Sequence, residues 1–127
     1  MNLALWLGAG LLAVVALAGG AIKAFVPKEK LAATPGGAWT RSVSAGRVKA
    51  LGVLEILAAV GLILPAAAGI APDLVPVTAL CWIALMTAAM ITHGRRREFR
   101  LAALNLAYLA LAAFVAWGRF GPGAFTG

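Results

Sequence analysis

The stretch AGRVKALGVLEILAAVGLIL, residues 45–64, decides the fold. Counted whole, its 20 residues are long enough to cross a hydrocarbon core, which takes about 20 helical residues. It is rich in Ala and Leu and does not alternate between polar and apolar positions. A strand of a membrane barrel would alternate, and a barrel would need many more segments. Three further runs repeat the pattern, at about residues 2–26, 74–93 and 101–117. The last is the shortest and is predicted to cross with little tilt. With 63% hydrophobic residues in 127, the chain exceeds what a water-soluble domain carries. The predicted fold class is all-α, an integral membrane four-helix bundle forming a single membrane domain over residues 1–127.

The first connection, residues 27–44, holds Pro27, the turn sequence Thr34-Pro35-Gly36-Gly37 and scattered charges that lipid does not accept. The second helix is predicted to stop at Pro65 and the third to begin after Asp73, whose side chain is a candidate cap. Gly94 is the expected stop of the third. Ala-Leu-Ala-Gly-Gly late in the first run resembles a secretory cleavage region, but no basic residue precedes the apolar core, so the run is read as a retained span.

The net charge of +7 does not mark a nucleic-acid protein, because the basic residues cluster between apolar runs and lack interleaved aromatics. Lys23, Lys28, Lys30, Arg41, Arg47 and Lys49 flank the first loop, and Arg95, Arg96, Arg97 and Arg100 flank the last (residues 94–100). An excess of Lys and Arg marks the cytoplasmic side. Both loops are therefore expected in the cytoplasm, with N-terminus and C-terminus both outside beside Arg119 and Asp73. Trp6, Trp117 and Phe120 would form an aromatic belt on that outer side. Contact with anionic lipid is a secondary role for the arginines. The single cysteine, Cys81, excludes an intrachain disulfide, a CxxC pair and a thiolate zinc site. No metal site is expected.

Small residues (Gly8, Ala9, Ala13, Ala16 and Gly20 in the first helix; Gly52, Ala59 and Gly61 in the second) predict close helix packing. Polar residues within the spans point to a site. A carboxylate inside a spanning helix costs roughly 3 kcal/mol, and Glu55 lies about 9 Å along the helix from Lys49, too deep for its short side chain to reach water. Lys23, His93, Asn105 and Tyr108 reach similar depths from the other three helices. In the third helix Trp82, Met86, Ala89 or Met90, and His93 follow one face, an adaptable wall leading to an imidazole. Each has a plainer reading. Lys23 and Glu55 form a structural ion pair, His93 ends a helix at the interface, Asn105 bonds across helices, and Tyr108, Trp82 and Met86 pack the core or face lipid. The site reading assigns proton exchange to Glu55 and His93, as catalytic groups, and ligand contact to Lys23, Trp82, Met86, Asn105 and Tyr108.

AGGAIKAF at 18–25, KALGVLEILAAVGLILP at 49–65 and MITHGRRR at 90–97 together resemble the DoxX-like family of small bacterial four-helix membrane proteins, over nearly the whole chain. The resemblance implies a bundle in the bacterial cytoplasmic (inner) membrane with Lys23, Glu55 and His93 at the family's polar positions. Proteins similar to it include a subunit of a thiosulfate:quinone oxidoreductase and partners of oxidative-stress enzymes, so no single reaction is implied. This chain has no intramembrane haem-type His pair, flavin fingerprint or thiol pair, so any electrons would travel on a bound quinone or another subunit.

Three functions fit. The first is a module binding a lipophilic small molecule, a quinone or isoprenoid, accessory to a redox complex. The second is a membrane-embedded isomerase, cyclase or epoxide-opening enzyme using acid/base chemistry. The third is a structural or transport subunit, with transport disfavoured by the lack of an inverted repeat of broken helices. A homodimer or larger membrane complex is compatible with each, and whether the chain is an enzyme is left open.

Overall fold

In the computed structural model, which describes residues 2–34, 36–121 and 123–124, every regular element is helical. The order is α1 (Asn2–Phe25), α2 (Lys28–Ala32), a 3-10 helix (Ala38–Ser42), α3 (Ala45–Ala68), α4 (Leu74–Arg95) and α5 (Phe99–Phe120). Among the described residues four helices, α1, α3, α4 and α5, are long and apolar enough to span a membrane. The chain is a multi-pass membrane protein with the all-α architecture its sequence predicts.

The bundle is built from two close pairs, α1 with α3 and α4 with α5, joined along looser seams between α3 and α4 and between α1 and α5. Leu12, Leu62, Ala79, Val75, Trp82 and Val115 fill its centre, while Leu3, Leu7, Leu11, Val14 and Leu17 point outward from α1. Lipid solvates an apolar side chain as well as a neighbouring helix does, so association rests on close packing. Gly20 and Gly52 provide it where α1 crosses α3. A Cβ on Gly20 would stand 2.6 Å from the Gly52 carbonyl oxygen, and one on Gly52 equally close to the Gly20 oxygen.

Helix ends differ from the sequence expectation at four places. α3 runs through Pro65, because a proline in the last turn forfeits only one hydrogen bond. It ends instead at Gly69, whose φ of 69° closes a paired cap. The Gly69 N–H donates to Ala66 O (3.3 Å) and the Ile70 N–H to Pro65 O (2.9 Å). Asp73 precedes α4 without capping it, since its backbone is already helical (φ −65°, ψ −14°) and its side chain makes no cap bond. Gly94 does not stop α4 either. The same paired cap forms three residues later around Arg97, in the left-handed region at φ 58°. The Arg97 N–H donates to Gly94 O (3.1 Å) and the Glu98 N–H to His93 O (2.8 Å). The shortened turn lets α5 start at Phe99 and extend to Phe120, long enough to span without the shortfall expected of it.

The first loop is ordered by α2 and the 3-10 helix, the latter anchored by buried Thr40, whose Oγ1 donates to Gly37 O at 2.7 Å. Of its expected turn sequence, Pro35 lies outside the described residues. At the opposite end of the bundle, Arg119 of α5 is buried. Its Nη1 donates to Asn2 Oδ1 (2.7 Å) and Gly123 O (2.8 Å), and its guanidinium lies 5.6 Å from the Trp6 ring centre. Trp117 and Phe120 lie exposed nearby.

Candidate functional site

The site grows out of the glycine crossing. Lys23 and Glu55 each stand three residues beyond the glycine of their own helix, Gly20 and Gly52, so the contact that brings the backbones together also brings these side chains face to face. Lys23 Nζ donates to both carboxylate oxygens of Glu55 at 3.0 Å. Glu55 is only 4% exposed, whereas the Lys23 side chain retains 22%. Gly19 keeps the space open, since a Cβ there would come within 3.3 Å of Glu55 Oε2.

This pair forms one side of a cavity of about 270 Å³ at the end of the bundle that carries the basic loops. Its polar lining comes from all four spanning helices: Lys23 from α1, Glu55 from α3, Thr92 and His93 from α4, and Asn105 from α5. Leu51, Leu85, Met86 and Trp39 supply apolar walls, the last reaching in from the 3-10 helix. Thr92 spends its hydroxyl proton on Ala88 O (2.9 Å) and keeps lone pairs to offer. The Asn105 amide has no hydrogen-bond partner among the described residues, so its donors and acceptor remain available.

His93 is held through its Nδ1 edge by the turn that follows α4. Its Nδ1 lies 3.0 Å from Glu98 Oε1, and Arg96 Nε stands 3.3 Å from the same oxygen as an ion pair. A carboxylate only accepts, so Nδ1 carries the proton and a neutral ring keeps its lone pair on Nε2. The backbone enforces this arrangement, because the left-handed Arg97 turn bonds the Glu98 N–H to the carbonyl of His93 itself. A non-glycine residue in that region costs about 1–2 kcal/mol, and here it positions the carboxylate that orients the imidazole.

A family model for the DoxX-like family matches residues 7–115. The chain belongs to the DoxX-like family. No curated protein and no solved structure matches it, so what this DoxX-like protein does has to be argued from its own side chains.

Of the residues singled out in the sequence, Lys23, Glu55, Met86, His93 and Asn105 line the one cavity. Trp82 and Tyr108 do not. Trp82 lines an adjoining hollow of about 190 Å³ between α3 and α4, with its indole N–H buried and without a partner among the described residues. Tyr108 packs against the central core. Residues of the site that escaped the sequence reading include Trp39, Thr92 and Glu98, besides the apolar walls Leu51 and Leu85. Thr92 stands beside His93 and was open to inspection. Trp39 sits in a loop without periodicity, and Glu98 is brought to His93 by a turn centred on a residue type that rarely makes one. Among the described residues no three His, Cys, Asp or Glu side chains converge on a common metal position.

Proposed function

We propose that this DoxX-like protein binds a lipophilic small molecule of the quinone or isoprenoid kind inside the membrane, with the polar end of the ligand among Glu55, His93 and Asn105. The supporting observation is the convergence of polar side chains from all four spanning helices on one cavity whose remaining walls are apolar. A few placed polar groups in an otherwise apolar hollow is the usual make-up of a small-molecule site. The protein acts in the bacterial cytoplasmic membrane, with the basic loops inside and both termini outside, and serves a redox complex as an accessory subunit. Native mass spectrometry of protein extracted from its own membrane tests the binding. A co-purifying lipophile, diminished in Asn105→Leu, is expected. Its absence, together with a melting temperature unmoved by quinones and isoprenoids, overturns the reading. For orientation, a cysteine introduced at Ala71 in a Cys81→Ala background should label from outside the cell with an impermeant reagent, and one at Ser42 should not.

The His93–Glu98 contact favours a second reading, proton-transfer catalysis on the bound molecule. An imidazole oriented by a carboxylate through Nδ1 is poised to exchange a proton at Nε2, with Glu55 across the same cavity. An isomerase, cyclase or epoxide-opening enzyme would use that arrangement. Under this reading Glu98→Gln lowers turnover while ligand binding persists; equal turnover in variant and parent removes it.

A further inference from the structure

The hollow beside Trp82 adjoins the polar cavity. Leu51 and Leu85 line both, so the two spaces share a wall of side chains between α3 and α4, one of the two looser seams of the bundle. The rest of its lining includes Leu54, Ala58, Cys81 and Trp82, of which Leu54 is 60% exposed on the outer surface of the bundle and Cys81 is exposed as well. Along α4, His93 and Trp82 stand about 16 Å apart at 1.5 Å per residue, one beside charged and amide groups and the other among apolar side chains at the lipid-facing surface.

Size and charge narrow what fits. The cavity at Glu55 alone, about 270 Å³, falls just short of the roughly 300–1,000 Å³ common for ligand pockets, and the adjoining hollow brings it into that range. The smaller hollow, about 190 Å³ with Leu54, Ala58, Cys81 and Trp82 around it, suits an apolar chain and offers no place for a second polar head. At the head end, Lys23 and Glu55 already neutralise each other through two 3.0 Å contacts. An ionic head would therefore bring an uncompensated charge into a sheltered site.

We propose that cavity and hollow hold one molecule, an uncharged amphiphile with a single apolar chain, which enters sideways from the bilayer between α3 and α4. The proposal rests on the ligand-binding reading above and specifies the ligand class. Its chain gains nothing from leaving water, because lipid already solvates it; it gains the dispersion contacts that a void forfeits.

Cys81, the only cysteine in the chain, reports on the hollow directly. The test uses the full chain in lipid nanodiscs with three probes: 4-ethylphenol, 4-decylphenol and decanoate. Melting temperature reports head binding, and the rate of Cys81 alkylation by a membrane-permeant maleimide reports chain placement. Both phenols should raise the melting temperature. Only 4-decylphenol should slow alkylation, by about tenfold at ten times its dissociation constant, and decanoate should do neither. Ala58→Phe and, at a more exposed position, Leu54→Trp fill the hollow and should bring the affinities of the two phenols together. Stabilisation by both phenols without Cys81 protection overturns the shared site and leaves the head-binding reading intact. Protection that persists in Asn105→Leu and Glu55→Gln, or equal binding of decanoate, overturns the single uncharged ligand. No response to any probe overturns both readings.

Discussion

At the scale of single residues, the Lys23–Glu55 pair carries a desolvation cost and the Arg97 turn a backbone one. The pair is asymmetric: Glu55 is buried, while Lys23 keeps partial exposure at the end of α1 and can extend toward water. Lys23→Met therefore strands a carboxylate and should destabilise by about 3 kcal/mol, whereas Glu55→Gln leaves an ammonium with an escape route and should cost about 1 kcal/mol. The double variant Lys23→Met/Glu55→Leu should recover most of the loss, because an apolar pair replaces two desolvated charges. Unfolding in mixed micelles measures all three, and simple additivity would mean that the pair is not coupled. At Arg97, glycine relieves the left-handed backbone, so Arg97→Gly should stabilise the protein by about 1 kcal/mol. Gly94→Ala belongs to the same experiment. Position 94 is helical with open space around it, and alanine there should add about 0.5–1 kcal/mol, whereas a glycine stop would make that change harmful.

At the scale of the helix, the glycines divide by what faces them. A Cβ on Gly52 would meet backbone atoms of α1 at 2.6 Å, whereas one on Gly10 or Gly46 would have nothing within 4 Å. Gly52→Ala should push α1 off α3 and lower the melting temperature, while Gly10→Ala and Gly46→Ala raise it slightly through helix propensity, by up to about 1 kcal/mol. Equal responses at the three positions would remove the close crossing from the account. The sequence was legible at this level where periodicity and length decide the matter. Four apolar runs gave four helices, and depth counted from Lys49 placed Glu55 among polar groups of the other spans. Ends were less legible. Pro65 and Gly94 are breakers by residue type, yet one falls in a last turn that tolerates it and the other lies before a turn formed by Arg97. Facing was not legible either, because a span rich in Ala and Leu presents similar side chains all round. Tyr108 was thus grouped with the site by depth and Trp82 by its spacing along one face of the third helix, and Trp39 and Glu98 were omitted.

At the scale of the whole molecule, Arg119 joins the beginning of the first span to the end of the last. It was read from the sequence as the one basic residue of the outer side, and its burial against Asn2, Trp6 and Gly123 comes from packing that no single segment encodes. Hydrogen bonds made by a charged group contribute about 1.5–3 kcal/mol each. Arg119→Leu should consequently loosen both ends of the bundle at once. Faster amide exchange in residues 3–8 and 116–121, with the α3–α4 turn unaffected, is the expected pattern; exchange unchanged at residues 3–8 would show that no such tie exists. The pairing of Lys23 with Glu55 also bears on how the chain enters its membrane during synthesis. A ribosome delivers the lysine-bearing segment some thirty residues ahead of its acidic partner, and a lone carboxylate would resist release into lipid by roughly 3 kcal/mol. The two segments should therefore leave the insertion machinery as one hairpin. Nascent chains arrested beyond Ala68 would partition together when both charges are present, and the acidic segment would lag when Lys23 is replaced by leucine.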